Sequence, residues 1–382
     1  MGRLGTSLVV VRHPGTRPSH ENRPWRHTTG VPYLRNTWYV ASWGDELRAG
    51  DLLARTICEQ PIVLYRRLDG TPAAIVDQCA HRFAPLSRGR LCGERVECPY
   101  HGLRYDATGQ CVENPHGRIS PALHIASYPV VERHSLIWVW LGDQAADTSA
   151  IPDFSHLGID APGIISKRDS MVLSVDYRLM VDNLLDLSHV NFLHDGLLGH
   201  AGMVNAHVEI REDGDTLYVT RTSEGVAPPK MFDLMYRNDG ELVDTWAEMR
   251  WDAPACLRNH AGVCPPGADR SEGMTVIGTH LLTPITPTTS LYHIAAVQIG
   301  GIPAGETAAE IADQLSRLRR FAFEEQDRPM VEAQQRAYDR AGGESALKPV
   351  MLSIDSGPLR ARRILNRLIA REAAFEPLRV SV

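Results

Sequence analysis

No apolar run in this 382-residue chain approaches the roughly 20 residues that a membrane-spanning helix requires, so no membrane anchor is expected. Cysteine is sparse, scattered and odd in number, seven in all. That suits neither a disulfide framework nor an oxidising compartment, and it points to the cytoplasm. Positive charge is not in excess: 40 Lys and Arg stand against 46 Asp and Glu, a net −6, which argues against a surface for nucleic acid or anionic lipid. No G-x-G-x-x-G follows a strand pattern, so no nicotinamide or flavin signature is present. Internal repeats and low-complexity segments are also lacking.

With 43% hydrophobic and 23% charged residues the composition is that of an ordinary globular protein, with room for about two or three domains. Residues 1–32 read as a disordered extension: Arg3, Arg12, Arg17, Arg23 and Arg26 face a single Glu21, and no amphipathic period runs through them. Leu8-Val9-Val10-Val11 is too short for a secretory core, and no small-residue cleavage site follows.

The strongest chemical signal lies between Cys79 and His101. Cys79-Ala80-His81 is followed, after sixteen residues, by Cys98-Pro99-Tyr100-His101, with Gly89, Gly93 and Gly102 placed for tight loops. Each half supplies one thiolate and one imidazole. A pair of sulfide-bridged irons can use that mixture, with both cysteines on one iron and both histidines on the other. Such ligation raises the cluster potential to roughly −150 to +300 mV, against about −400 mV for all-cysteine plant-type clusters. Zinc is the rival because it also takes Cys2His2, although its knuckles usually pair cysteine with cysteine. The motifs C-x-H-R and C-P-Y-H-G resemble the Rieske iron–sulfur domain, with Ala80 standing where proline is commoner.

Around this stretch the chain reads as short strands: Trp38 to Ala41, Pro61 to Tyr65, Ala73 to Val76, and the apolar run Leu136 to Leu141. A small β domain is expected over 33–147, with Asp147 to Pro152 as its linker. Over 148–382 a strand near Ser170 is followed by a helix from Tyr177 to about His189. Strand-rich runs then occupy 207–300, and a helical stretch runs from Glu306 to about Ala341, interrupted at Pro329. Strands followed by helices, without βαβ alternation, indicate an antiparallel α+β domain.

A second metal signal is His189-x4-His194. On an unbroken helix the two would point about 140° apart, so they converge only if the helix ends or bulges between them. Gly196 and Gly199 make an ending plausible. The carboxylate candidates far along the chain are Glu324, Glu325, Asp327 and Glu332; Asp327, just before Pro329, is equally a good helix-start residue.

Asn183-x2-Asp186-x2-His189-x4-His194 resembles the mononuclear-iron segment of Rieske oxygenases. The likeness runs from residue 33 to about 370 and is closest to the vanillate O-demethylase and dicamba monooxygenase branch. It includes Trp38-Tyr39-Val40-Ala41, Asn114-Pro115-His116-Gly117 and Gly278-Thr279-His280. The resemblance implies an α+β chain: a small all-β Rieske [2Fe-2S] domain, then an antiparallel-sheet-plus-helices, helix-grip-like catalytic domain. It implies Cys79, His81, Cys98 and His101 as cluster ligands and His189, His194 and Asp327 as ligands of mononuclear Fe(II). It also places Asn183 beside that iron, makes Asp186 a link to the partner subunit's His101 in a homotrimer, and sets Asn259 and His280 against the substrate. Leu318 stands where the dicamba-type enzyme carries tryptophan, which implies a differently shaped pocket.

The implied activity is that of a terminal oxygenase component: dioxygen and electrons are used to hydroxylate or O-demethylate an aromatic, acid-bearing substrate. Electrons must come from a separate NAD(P)H-dependent reductase, with or without a ferredoxin. A ring cis-dihydroxylating dioxygenase would share every ligand; a pure electron carrier would need only the first domain; a zinc-stapled binding module remains the third alternative. Purified protein is expected to be red-brown with acid-labile sulfide, and a colourless, zinc-containing preparation would contradict the cluster.

Overall fold

The computed structural model describes residues 33–158, 163–165, 168–301 and 306–375; the extension expected over 1–32 lies outside the described residues. The first part is built from three small antiparallel sheets. Strands β1 (Thr37–Trp43), β2 (Leu53–Ile57), β3 (Gln60–Arg66) and β4 (Pro72–Val76) lead to the first cysteine loop. Strands β5 (Arg90–Cys92), β6 (Arg95–Glu97), β7 (Arg104–Tyr105) and β8 (Cys111–Glu113) form their own sheet around the second. β9 (Val130–Arg133) and β10 (Leu136–Leu141) return to pair with β1, in the order β1-β10-β9. The apolar run of β10 is buried at every position, as its unbroken hydrophobicity requires.

The second part is one large antiparallel sheet with helices. β11 (Ile164–Ile165) and β12 (Asp169–Leu173) both pair with the last strand. β13 (His207–Asp213), β14 (Thr216–Val226), β15 (Val243–Asp252), β16 (Cys256–Cys264), β17 (Met274–Thr286) and β18 (Thr289–Ile299) follow as successive hairpins. β17 and β18 are buried on both faces. On one side Ile277, Leu281, Ala295 and Val297 pack against Trp43 and Trp138 of the first part, which welds the two parts through a common core. On the other side Val276 and Ala296 meet Met231, Met235, Ile311 and Leu315. Burial on both faces fits their high apolar content, with Thr279, His280, Thr283, Ser290, His293 and Gln298 as buried polar positions.

Among the described residues the α-helices are α1 (Tyr177–Leu185), α2 (Lys230–Tyr236), α3 (Ala308–Arg320), α4 (Arg328–Ala341) and α5 (Ser356–Phe375). No helix among the described residues is long and apolar enough to cross a membrane. Two sequence expectations are corrected. The helix expected to reach His189 stops at Leu185, because the Asp186 side chain turns to accept from Ser188 N at 2.9 Å and from the Ser188 hydroxyl. The break expected at Pro329 is instead a π-helical segment, Phe321–Asp327, joining α3 directly to α4. Proline lacks the N–H that would bond back one turn, so the preceding turn widens rather than the helix ending. Strands β13 and β16 and helices α2 and α5 had no distinct sequence signal.

Gly262 on β16 shows how tightly the large sheet is built. A Cβ there would come within 2.3 Å of both the Trp246 ring and Met274 O. Gly262→Ala is therefore expected to destabilise the protein by about 1–3 kcal/mol in denaturant titration. An unchanged midpoint would contradict the packing described.

Candidate active site

The two cysteine loops are near-copies of each other. In the first, Phe83 N bonds Cys79 O at 2.9 Å and Cys79 N bonds Ala84 O at 2.9 Å; in the second, Gly102 N bonds Cys98 O at 3.1 Å and Cys98 N bonds Leu103 O at 2.8 Å. The fourth residue after each cysteine takes a positive φ: Phe83 at 56° and Gly102 at 72°. A bulky residue in that region is strained, which marks the first loop as held by its surroundings. Both cysteines are buried with their thiols against each other, and Cys79 Sγ lies 3.3 Å from the Tyr105 hydroxyl. The His81 and His101 Nδ1 atoms lie 3.1 Å apart near the surface. His116 Nε2 contacts His101 O at 3.0 Å.

Tetrahedral zinc, with bonds of about 2.0–2.3 Å, would draw all its donors within about 4 Å of one another. Here the thiols of Cys79 and Cys98 meet each other and His81 Nδ1 meets His101 Nδ1, two thiolates and two imidazoles set out as like pairs, as a two-iron cluster requires.

The second constellation brings distant segments together. His189 lies in a single 3-10 turn after α1, and His194 follows a further bend, so the five-residue spacing converges. Asp327 ends the π-helical segment, 1% exposed. Its Oδ1 is 3.5 Å from His189 Nε2 and 3.2 Å from His194 Nε2. The opposite ring nitrogens are already engaged: His189 Nδ1 with the main-chain oxygen of Asp186, His194 Nδ1 with Gln326 Oε1 at 2.7 Å. That fixes both tautomers and aims both Nε2 atoms at the same point. The main-chain oxygen of Asp186 thus orients the His189 imidazole, while its carboxylate caps Ser188. Asn183 Nδ2 lies 3.1 Å from Asp327 Oδ1. Asp327 Oδ2 and Asn183 Oδ1 are buried without partners. Two inward imidazoles, one carboxylate and spare buried oxygens are a donor set that fits a divalent iron with open positions.

Burial would raise the carboxyl of Asp327, but hydrogen bonds from His189 and His194 outweigh it and hold the group at about 2. Burial pulls His189 down, yet the Asp327 carboxylate beside it leaves its pKa raised overall. Of the other acidic candidates, Glu324 pairs with Arg320, Glu332 with Arg328, and Glu325 is exposed.

An apolar cavity of about 140 Å³ is lined by Leu187 and Val190, which flank His189 in sequence, and by Ala322 and Phe323 of the segment that ends in Asp327. That volume accommodates about one aromatic ring. Asn259, His280 and Leu318 all line it. Asn259 Oδ1 is buried without a partner. His280 Nδ1 is 2.6 Å from the Tyr292 hydroxyl, and burial, aided by the Arg319 charge, brings it down to about 3, so it is neutral. Gln326, Arg221 and Phe323 were not singled out from the sequence. Gln326 could have been flagged as the neighbour of a candidate ligand; Arg221 becomes a neighbour of the cavity through sheet register, and Phe323 through the packing of the π-helical segment.

Buried thiols paired with surface imidazoles, and a histidine–carboxylate trio facing an apolar cavity, together define an iron-dependent oxygenase. Residues 37–129 match the Rieske [2Fe-2S] domain and residues 173–371 the vanillate O-demethylase oxygenase C-terminal domain. The chain is 35% identical to the chloroacetanilide N-alkylformylase oxygenase component of Rhizorhabdus wittichii, covering 91% of this chain and 99% of that one. It is 36% identical to the dicamba O-demethylase oxygenase component of Stenotrophomonas maltophilia, over 90% and 100%. Dicamba monooxygenase bound to 3,6-dichlorosalicylic acid superposes with a TM-score of 0.84 at 34% identity, over 90% of this chain and 100% of that one. The same enzyme with non-heme iron and dicamba gives 0.72. The chain thus belongs to the vanillate O-demethylase family of Rieske oxygenase components, oxidoreductases whose cofactors are a [2Fe-2S] cluster and a mononuclear non-heme iron.

Gln326 also donates to Leu193 O at 2.8 Å, tying the His194 loop to the π-helical segment. Gln326→Leu is expected to weaken mononuclear iron affinity by about 10–100-fold while leaving the cluster spectrum unchanged. Equal affinity in an iron titration would refute that orienting role.

Proposed function

We propose that this oxygenase component O-demethylates, or hydroxylates at an equivalent carbon, a small methoxylated aromatic acid. The convergence of His189, His194 and Asp327 at the edge of a ring-sized apolar cavity carries the reading. The overall conversion balances as ArOCH3, dioxygen, two electrons and two protons giving ArOCH2OH and water; the hemiacetal then collapses to phenol and formaldehyde.

When bound, the cluster delivers single electrons and the mononuclear iron reduces dioxygen. The chain's own contribution is placement and polarity. His189, His194 and Asp327 would hold the iron, which would supply the dioxygen chemistry next to the cavity. The Asp186 carbonyl and Gln326 keep both imidazoles in the metal-binding tautomer. Phe323 and the apolar walls keep water from the reacting carbon, and Asn259 with neutral His280 takes the substrate's polar groups.

In this reading Cys79, His81, Cys98 and His101 hold the cluster, and the near-surface histidines face the electron donor. A separate reductase, with or without a ferredoxin, supplies the electrons. Asp186, on the loop before His189, is the natural bridge to the partner subunit's His101 in a homotrimer. Seven free cysteines among the described residues suit a cytoplasmic setting.

The test is a panel of methoxybenzoates with a reconstituted reductase, scored for formaldehyde. His189→Ala is expected to keep the cluster's EPR signal and lose formaldehyde release entirely. Retained turnover in that variant would reject the division of labour, and a cis-diol product would replace demethylation by ring dihydroxylation.

A further inference from the structure

We infer that Arg221 is the specificity-determining charge of the cavity, receiving a carboxylate or sulfonate of the substrate opposite Asn259 and His280. The relatives do not decide between charged and neutral substrates: one is named for a chloroacetanilide, while a dicamba monooxygenase neighbour holds 3,6-dichlorosalicylic acid. Arg221 discriminates between them.

Its position follows from strand register. On β14, Arg221 pairs with Ala247 of β15, which pairs with Ala261 of β16, which pairs with Val276 of β17. Paired residues of an antiparallel sheet share a face, and so do residues two apart on one strand. Asn259 stands two residues from Ala261, and His280 stands four from Val276. All six border the cavity. Ala247 and Ala261 are the smallest side chains in the row, and they leave space in front of the guanidinium.

Arg221 is 6% exposed, and its hydrogen-bond partners are main-chain carbonyls. Arg221 Nη1 donates to Leu187 O at 3.1 Å and Nη2 donates to Met203 O. No carboxylate among the described residues makes an ion pair with it. Arg319, also on the cavity wall, already has Asp169 as its countercharge. Burial lowers the Arg221 pKa, and the one charge that offsets it is the Asp186 carboxylate, which makes no ion pair with it. A buried cation so weakly compensated is costly, and guanidinium geometry matches an oxyanion through paired N–H donors. Asn259 and neutral His280 can hydrogen-bond an acid group but cannot neutralise it. Arg221 can do so without protonation or rearrangement.

The assignment rests on the cavity being an oxygenase's substrate site, but its test needs no turnover. Calorimetric titration of the full-length holoenzyme, without reductase, compares 2-methoxybenzoate and benzenesulfonate with 2-methoxybenzamide, a neutral isostere of the first. The wild type is expected to bind an anion at least about tenfold more tightly than the amide. Arg221→Met is expected to lose about tenfold or more for the anions and to hold the amide within about twofold. Arg221→Lys, which keeps the charge, is expected to retain most of the preference. Whichever anion binds tighter names the native acid group. A wild type without anion preference overturns the assignment even if Arg221→Met fails to fold. Equal loss of acid and amide in Arg221→Met also overturns it, leaving Arg221 as a clamp on Leu187 and Met203. Demethylation of neutral ethers alone would do the same while leaving the activity standing.

Discussion

A carboxylate at 1% exposure is the constraint around which the catalytic part is arranged. Asp327 is costly to bury charged unless something positive meets it, and among the described residues His189 and His194 are the ion-pair partners placed to do so. Their arrival depends on three local decisions of the chain. α1 must stop at Leu185, the following residues must bend within one turn, and the helix carrying Asp327 must widen ahead of Pro329. Each is written in local chemistry: an Asp side chain that competes with the helix, a loop with glycines after it, and a proline without an N–H. The result is a pocket of negative charge between two oriented imidazoles, which is what a hard divalent cation stabilises.

The rest of the molecule serves to keep that charge beside an apolar space without flooding it. β17 and β18 are covered on both faces, by the tryptophan layer from the first part and by α2 and α3. Small residues on β15 and β16 then open a cavity where larger ones would have closed the core. The cluster loops are held on separate small sheets, with buried sulfurs and surface imidazoles. One chain thereby keeps an electron-accepting edge and a dry reaction space on different scaffolds while sharing a single hydrophobic weld.

Much of this was legible beforehand. The mixed C-x-H and C-x-x-H halves, the apolar run of β10, and the sheet-then-helix order all follow from spacing and periodicity. The choice of Asp327 over Glu324, Glu325 and Glu332 did not, because burial separates them and burial is a tertiary fact. Asn259 had no strand signal around it, since β16 mixes buried and half-buried positions without clean alternation. Arg221 carries no signal of its own in the sequence; cross-strand register is what sets it on the cavity face. The sequence carries α1 past Leu185 because no Gly or Pro interrupts Asp186 to His189, whereas the Asp186 side chain takes the Ser188 N–H and ends the helix.

The central claim is that two chemically different iron sites exist in one chain, one between paired loops and one at the buried carboxylate. Anomalous diffraction from holoenzyme crystals, recorded on either side of the iron absorption edge, tests it directly. The account predicts an iron pair bracketed by Cys79, Cys98, His81 and His101, and a separate single iron against His189, His194 and Asp327. A peak at only one of these places, or a signal that appears at the zinc edge instead, would contradict it.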